Sequence, residues 1–298
     1  MALNFEHPLA VQIRKQIVRA IADYGLIEEG DKVMVCTSGG KDSSILLALL
    51  TEIQRRAPYH YDIEAVILDQ KQPGFDATAF KSWVENEVGV KLHVVERDTY
   101  SIVTEKVKDG VYCSLCSRLR RAILYDYAVD KGFTKMALGH HRDDANQTLL
   151  LNLFYTGKIS SMPPKLKSDD GRNILVRPLI NVPETDLIQL ADAWKFPVIP
   201  CNLCGSQEGM KRQRMKKLLR DLEKEIPNIG NSMLTAQGNV RLSQLMDRER
   251  WDFGALKADG VTETPSGVDP LTGLPIGQNA LGDFSGNTAL TAGPSLLN

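Results

Sequence analysis

A chain of 298 residues and 33.1 kDa, 43% hydrophobic and 24% charged, has the composition of a soluble globular protein with room for a large core, as one domain with attachments or as two. No apolar run reaches the length of a membrane span and the start MALNFEHPLAVQIRKQ lacks the apolar heart of a signal peptide, which argues against a membrane protein and sets the expectation of a cytoplasmic one. The net charge of −1 is silent on nucleic acid.

In chain order, residues 8–26 carry Val11, Ile13, Ile17, Val18 and Ile21 at near-helical spacing and predict an amphipathic helix. KVMVCTSGG (32–40) reads as a buried strand closed by a glycine turn, and DSSILLALLTEIQRR (42–56) as a helix. The alternation continues with a strand at 62–70, a helix at 76–88, a strand at 91–98 and, after a C-x-x-C, a helix through 119–132. Then come a strand at 134–141, a helix at 143–157, a strand at 173–179, a helix at 183–196 and a brief strand PVIP at 197–200. Such alternation predicts an α/β fold, a Rossmann-like parallel sheet with helices on both faces, plus helical N- and C-terminal extensions. Ligands of such sheets bind beyond the carboxyl ends of the strands.

TSGGKDSS joins the first strand to its helix. Gly39 and Gly40 let successive N–H groups converge on an anion at a helix N-terminus, Lys41 adds a point charge, and Ser38 and Ser43 add hydroxyl donors. Asp42 can cap the helix or reach a phosphate-bound Mg²⁺. A plain glycine turn with a capped helix explains Gly39, Gly40 and Asp42 but gives Lys41 no purpose. The stretch is neither a G-x-x-x-x-G-K-[ST] loop nor a G-x-G-x-x-G fingerprint, which weakens kinase and dinucleotide readings.

SGGKDS in this position resembles the pyrophosphate-binding loop of the ATP pyrophosphatases, whose members split ATP to AMP and pyrophosphate, activating a carbonyl oxygen as an adenylate that a nucleophile then displaces. Two further strand ends face the same crevice. LDQKQPGF (68–75) places Asp69 and Gln70 at the end of the second strand; Asp69 can be a simple turn residue, whereas the resemblance puts this loop near adenine and ribose. GHHRDD (139–144) crowds His140, His141, Asp143 and Asp144, more ionisable groups than a helix cap needs. One Asp can bind Mg²⁺ on the leaving pyrophosphate and the other can move a proton. By resemblance Asp144 is the catalytic acid/base, with Asp143 second, and His140 belongs with the nucleotide-binding residues.

Five cysteines form an odd set, and in a reducing compartment C-x-x-C pairs mean metal or redox chemistry more often than disulfides. Cys113 and Cys116 form one pair, Cys201 and Cys204 another. The gap between them far exceeds the roughly 15–20 residues of zinc ribbons, which weakens zinc without removing it. Arg118, Arg120 and Arg121 beside the first pair suit a site that meets an anion. Cys36, inside the first strand, reads as core.

SGGKDS, LDQKQPGF, CSLCSRLRR, GHHRDD, MPPKLKSDDG and IPCNLCGSQ together, in this order, are similar to the strings of tRNA 2-thiocytidine synthetases, over roughly residues 10–250. That resemblance implies the adenine nucleotide alpha hydrolase-like form of the fold and an iron–sulfur alternative to zinc. Cys113, Cys116 and Cys204 would hold a [4Fe–4S] cluster with one iron open for sulfide, leaving Cys201 as a buried thiol or a fourth ligand. It further implies ATP-dependent 2-thiolation of cytidine 32 in a tRNA anticodon loop, a cysteine desulfurase as sulfur source, and a homodimer. Arg120 would stabilise charge at the base or touch phosphate. Rival readings are an amine-using adenylating enzyme like tRNA lysidine synthetase, and a non-catalytic zinc-stapled nucleotide- or RNA-binding module.

The basic run KRQRMKKLLR (211–220), with Lys165 and Lys167, is the candidate contact to the tRNA backbone. Beyond about Gly254 the chain is rich in Gly, Thr, Ser, Asn and Pro and carries −3, leaving +2 for the rest. The expected organisation is an N-terminal helical segment at 1–30, a nucleotide domain with the first C-x-x-C at 31–200, the second C-x-x-C and basic helix at 201–253, and a disordered tail at 254–298.

Overall fold

The computed structural model describes residues 3–106, 112–199 and 207–256. Compactness divides the chain into two units, Met1–Gly238 and Asn239–Asn298. The described residues of the second include two 3-10 turns, Leu242–Gln244 and Phe253–Ala255; in the latter Asp252 accepts hydrogen bonds from the amides of Gly254 and Ala255. Most of the predicted tail, from residue 257 on, lies outside the described residues.

The first unit opens on α1 (Pro8–Tyr24), with proline at its first turn, the His7 side chain accepting from the Leu9 amide, and Gly25 closing it at φ +55°. Its buried stripe is Ala10, Ile13, Ile17, Ala20 and Ile21. Val18, expected on that stripe, is 46% exposed, because it follows Ile17 by one residue, about 100° round the helix and outside the stripe that Ala10 and Ala20 complete.

A six-stranded sheet follows, built from β1 (Lys32–Thr37), β2 (Asp62–Asp69), β3 (Leu92–Glu96), β4 (Lys135–Leu138), β5 (Lys165–Lys167) and β6 (Ile174–Val176) in the spatial order β3-β2-β1-β4-β6-β5. Every pairing is parallel except that of β5 with β6. The helices between strands are α2 (Lys41–Arg56), α3 (Thr78–Trp83, continued by a π turn Val84–Val88), α4 (Tyr100–Lys106), α5 (Tyr112–Asp130) and α6 (Arg142–Thr156). After the sheet come α7 (Glu184–Trp194), α8 (Gln207–Glu225) and α9 (Ile229–Gln237). No helix among the described residues is long and apolar enough to cross a membrane.

The two-residue period of a strand explains how one sheet feeds two cores. Val33, Val35, Ala65, Ile67, Ala137 and Val176 face α1, α2, α3 and α7. Met34, Val66, Leu68, Met136 and Leu175 face the opposite way, toward Ile123, Leu124 and Ala128 of α5. Ile45 through Leu50 of α2 have no exposed surface, and each large aliphatic among them contributes roughly 1.5–3 kcal/mol relative to exposure. The parallel fold with helices on both faces matches the expectation.

Three local readings differ. PVIP forms no strand over 197–199; its Ile199 amide makes a single backbone bond to the Gly39 carbonyl at 3.0 Å. MPPKLKSDDG supplies the short edge strand β5, paired antiparallel with β6, in a stretch too polar to announce one. The helix expected after the first C-x-x-C already begins at Tyr112, so Cys113 and Cys116 ride on α5. Cys and Ser are indifferent helix formers, and the apolar period that reveals a helix starts only later.

The chain runs from β1 outward to β3, then returns to place β4 on the other flank of β1. This reversal opens a crevice beyond the carboxyl ends of β1 and β4, where ligands of open α/β sheets bind.

Candidate active site

The loop after β1 is held in shape by its own side chains. The Ser38 amide donates to Ser43 Oγ at 3.2 Å, Ser38 Oγ accepts from the Gly40 amide at 3.3 Å, and Ser43 and Ser44 hydroxyls donate to the Gly40 carbonyl at 3.1 and 2.9 Å. Gly39 stands at φ +73°, and a Cβ built there would lie 2.6 Å from Ile199 Cβ, so both conformation and space demand glycine. The first-turn amides of α2, which no helical carbonyl can satisfy, look into the crevice with Lys41 beside them. Asp42 is not the cap: Gly40 holds that position, and Asp42 pairs with Lys41 Nζ at 3.1 Å.

The loop after β4 meets it directly. A Cβ on Gly139 would lie 3.0 Å from the Ser43 nitrogen and 3.1 Å from its Cα. The two carboxylates of GHHRDD then part company. Asp143 Oδ2 accepts the Glu184 amide at the start of α7 at 2.7 Å and Oδ1 pairs with Arg142 at 3.1 Å. Asp144 Oδ2 accepts the His141 amide at 3.2 Å, capping α6 from its first turn, while Oδ1 lies 3.9 Å from Arg212 of α8 and Oδ2 lies 3.4 Å from His141 Nε2. Burial pushes the His140 imidazole down to about 4, a neutral ring beside Asp144, and its buried Nδ1 has no hydrogen-bond partner among the described residues.

On the β2 side a cavity of about 270 Å³ is lined by Ser38, Gly40, Gln70, Phe75, Arg120 and Ile199, among others. Gln70 is buried; its Oε1 accepts from Thr99 Oγ1 and from Cys116 Sγ, each at 3.1 Å. Asp69 instead forms the turn, accepting the amide of Lys71, a residue at φ +61°, at 2.7 Å. Cys36 packs at the second core, and burial pushes its thiol up to about 12 against the opposing pull of Arg120.

On α5 the three-residue spacing sets Cys113 and Cys116 on one helical face. Cys116 hydrogen-bonds Gln70, which lines the cavity together with Arg120, one turn on from Cys116. This fits a thiolate ligand at the cavity rim. The side chain of Cys113 and the whole of Cys201 and Cys204 lie outside the described residues. Among the described residues no group of three His, Cys, Asp or Glu side chains is arranged to hold a metal. For Mg²⁺ the candidate is Asp42, whose buried Oδ1 lies 3.1 Å from Lys41 Nζ, so a cation there would take the place of the lysine.

Four residues were not anticipated in these places. Glu184 opens α7 and sets its carboxylate 3.5 Å from Lys41 Nζ and 2.6 Å from Lys216 Nζ. Arg212 and Lys216, read as part of a tRNA face, turn toward the crevice on the same side of α8 as buried Met215 and Leu219. Arg177, 7% exposed at the end of β6, donates to the Pro163 carbonyl; an arginine closing an apolar strand was the available signal.

A family model described as a PP-loop domain matches residues 9–199. The chain is 69% identical over 256 residues to a tRNA-cytidine(32) 2-sulfurtransferase of Bdellovibrio bacteriovorus, covering 86% of this chain and 98% of that protein. It is 52% identical over 284 residues to a protein of the same name from Burkholderia vietnamiensis, covering 93% and 82%. Among solved structures, the fold is similar to that of a U34-tRNA thiolase, NcsA from Methanococcus maripaludis with its [4Fe-4S] cluster, at TM-score 0.62 and 22% identity over 77% of this chain and 78% of that one.

Proposed function

The chain belongs to the tRNA-cytidine(32) 2-sulfurtransferase family, built on a PP-loop domain, and from that premise we propose that it replaces the C2 oxygen of cytidine 32 in a tRNA with sulfur, using ATP to activate that oxygen. The observation that carries the reading is the bond from Cys116 to Gln70, which brings a family-expected cluster cysteine to the cavity that the phosphate-loop residues Ser38 and Gly40 line.

In this reading the free amides of the loop and of the first turn of α2, with Lys41, bind the ATP phosphates, and the bonds of the Ser38 and Gly40 amides to hydroxyls hold the loop in shape before ATP arrives. Gln70, Gln72 and Phe75 close the cavity around the nucleoside. The C2 oxygen of cytosine attacks the α-phosphorus and the bond to pyrophosphate breaks. Sulfur then adds at C2 and the C2–O bond breaks, releasing AMP. Arg120 faces the charge that develops at the base. Asp144 is the group available to move the proton, since neutral His140 beside it offers no competing positive charge. Asp143 positions α7 rather than touching substrate.

Cys113, Cys116 and Cys204 would hold the [4Fe–4S] cluster; when bound it supplies an iron with an open coordination position at which sulfur can be presented. Asp42 would hold Mg²⁺ once Lys41 turns to phosphate, and the cation would offset phosphate charge. A cysteine desulfurase as sulfur source, a homodimeric assembly and a cytoplasmic location complete the reading, all drawn from the family. A target base must be splayed out of its stack to enter, as a loop nucleotide can be.

The test is anaerobic purification of wild type and of Cys113→Ala, Cys201→Ala and Cys204→Ala, with iron, zinc, acid-labile sulfide and thiolated nucleoside measured on each. About four irons and four sulfides, lost with Cys113 or Cys204 but kept with Cys201, together with ATP-dependent 2-thiocytidine, are expected. One zinc without sulfide, lost with any of these cysteines, would sink it.

A further inference from the structure

We propose that Lys216 of α8 is a second phosphate-binding lysine, working with Lys41 and held in place by the Glu184 carboxylate. The inference rests on the reading of the β1 loop as an ATP site and extends it to an element that the loop sequence does not contain.

Glu184 stands between two ammonium groups. Its Oε1 lies 3.5 Å from Lys41 Nζ and 2.7 Å from Lys216 Nζ, and its Oε2 lies 2.6 Å from Lys216. The carboxylate is 17% exposed and its backbone amide is anchored on Asp143, so the β4 loop, α7 and α8 fix its position together. Lys41 also pairs with Asp42 at 3.1 Å, so two ammonium groups share two carboxylates, and the first turn of α2 beside them supplies the field that favours an anion. A triphosphate seated on Lys41 would find Lys216 one carboxylate away and would compete with Glu184 for both.

The geometry of α8 separates this lysine from its neighbours. Met215 and Leu219 are buried, which fixes the inward face of the helix, and Arg212 and Lys216, four residues apart, flank it toward Asp144 and Glu184. Lys217 and Lys224 are 73% and 77% exposed and, among the described residues, pair with Asp221. A lysine meant for a polyanion outside the crevice would stand with those two.

The experiment measures binding of a non-hydrolysable ATP analogue with Mg²⁺, and separately of tRNA, to wild type, Lys216→Gln and the exposed control Lys224→Gln. The expected result is about a tenfold loss of analogue affinity for Lys216→Gln, with the salt dependence of tRNA binding unchanged, and wild-type analogue affinity for Lys224→Gln. Wild-type analogue affinity in Lys216→Gln, or an equal loss in Lys224→Gln, overturns the proposal. Failure of wild type itself to bind the analogue overturns the ATP reading instead. Should Lys216→Gln not fold, Lys216→Met keeps the apolar stem and carries the same expectation, and Lys216→Arg is expected to retain binding.

Discussion

Gly139 rests on the backbone of Ser43: a Cβ at Gly139 would stand 3.0 Å from the Ser43 nitrogen, 3.1 Å from its Cα and 3.2 Å from the Asp42 carbonyl carbon. The two loops that flank the switch point touch main chain to main chain, so neither can move without the other. Gly139→Ala therefore has no flexible side chain to push aside and must displace the first turn of α2, an overpacking cost of roughly 1–3 kcal/mol. The expected outcome is a folded protein with a lower Tm and weaker ATP-analogue binding, read by calorimetry. Unchanged binding would mean that the loops are not a rigid pair.

Gln70 ties the cavity beside the β1 loop to α5 through Cys116. With Cys116 as a thiolate the bond must reverse, the amide nitrogen turning toward sulfur while Oε1 faces away. Hydrogen bonds to ligand sulfur raise the potential of an iron–sulfur site and fix its ligands. Gln70→Leu is expected to keep iron in anaerobically prepared protein but to lower the midpoint potential and alter the electron paramagnetic resonance spectrum of the reduced form. An unchanged potential would separate Gln70 from the cluster and leave it a cavity wall.

Much of this site was legible. Gly-Gly-Lys between an apolar strand and a helix, and four ionisable groups packed after a later strand, are local patterns whose physics does not depend on the rest of the chain. The sheet was equally open, because Val33 to Cys36 and Ala65 to Leu68 alternate between two cores that both demand apolar residues. Glu184 and Lys216 were hidden for the opposite reason: each looks like an ordinary helix-surface charge, and only the packing of α8 on α6, whose Asp143 also anchors the start of α7, brings them to 2.6 Å. Asp143 and Asp144 are adjacent in sequence and similar in chemistry; their division into an α7 anchor and a crevice-facing carboxylate is a tertiary fact.

His140 gives the fold an acid-side liability. Its imidazole is held well below the ordinary 6.5, at about 4, chiefly by burial. The unfolded chain therefore takes up a proton as pH falls through about 6.5 while the folded chain does so only near 4, so the unfolded state binds more protons in that window and stability declines as pH drops, by up to roughly 1.4 kcal/mol per unit. Urea unfolding from pH 7.5 to 4.5 is expected to show this slope in wild type and a shallower one in His140→Gln. Parallel curves would assign the acid sensitivity to other groups.

The outward face of α8 is where tRNA contact is expected, and the structure divides the basic run accordingly. Lys216 is engaged with Glu184, and Lys165 donates to the Gly25 carbonyl that closes α1, so charge reversal at either disturbs a built contact whatever the ligand. Lys217 and Arg220 are exposed. Their replacement by Glu is expected to weaken tRNA binding and to reduce the slope of log affinity against log salt by about 1 for each phosphate left without its cation, with ATP-analogue affinity unchanged. Weaker binding with an unaltered slope would mean that the substitutions act on folding of α8 rather than on phosphate. Under the two proposals together the basic helix serves two polyanions, its inward lysine a nucleotide and its outward charges a tRNA backbone, and the paired affinity measurements on Lys216→Gln and on the Lys217 and Arg220 variants separate them.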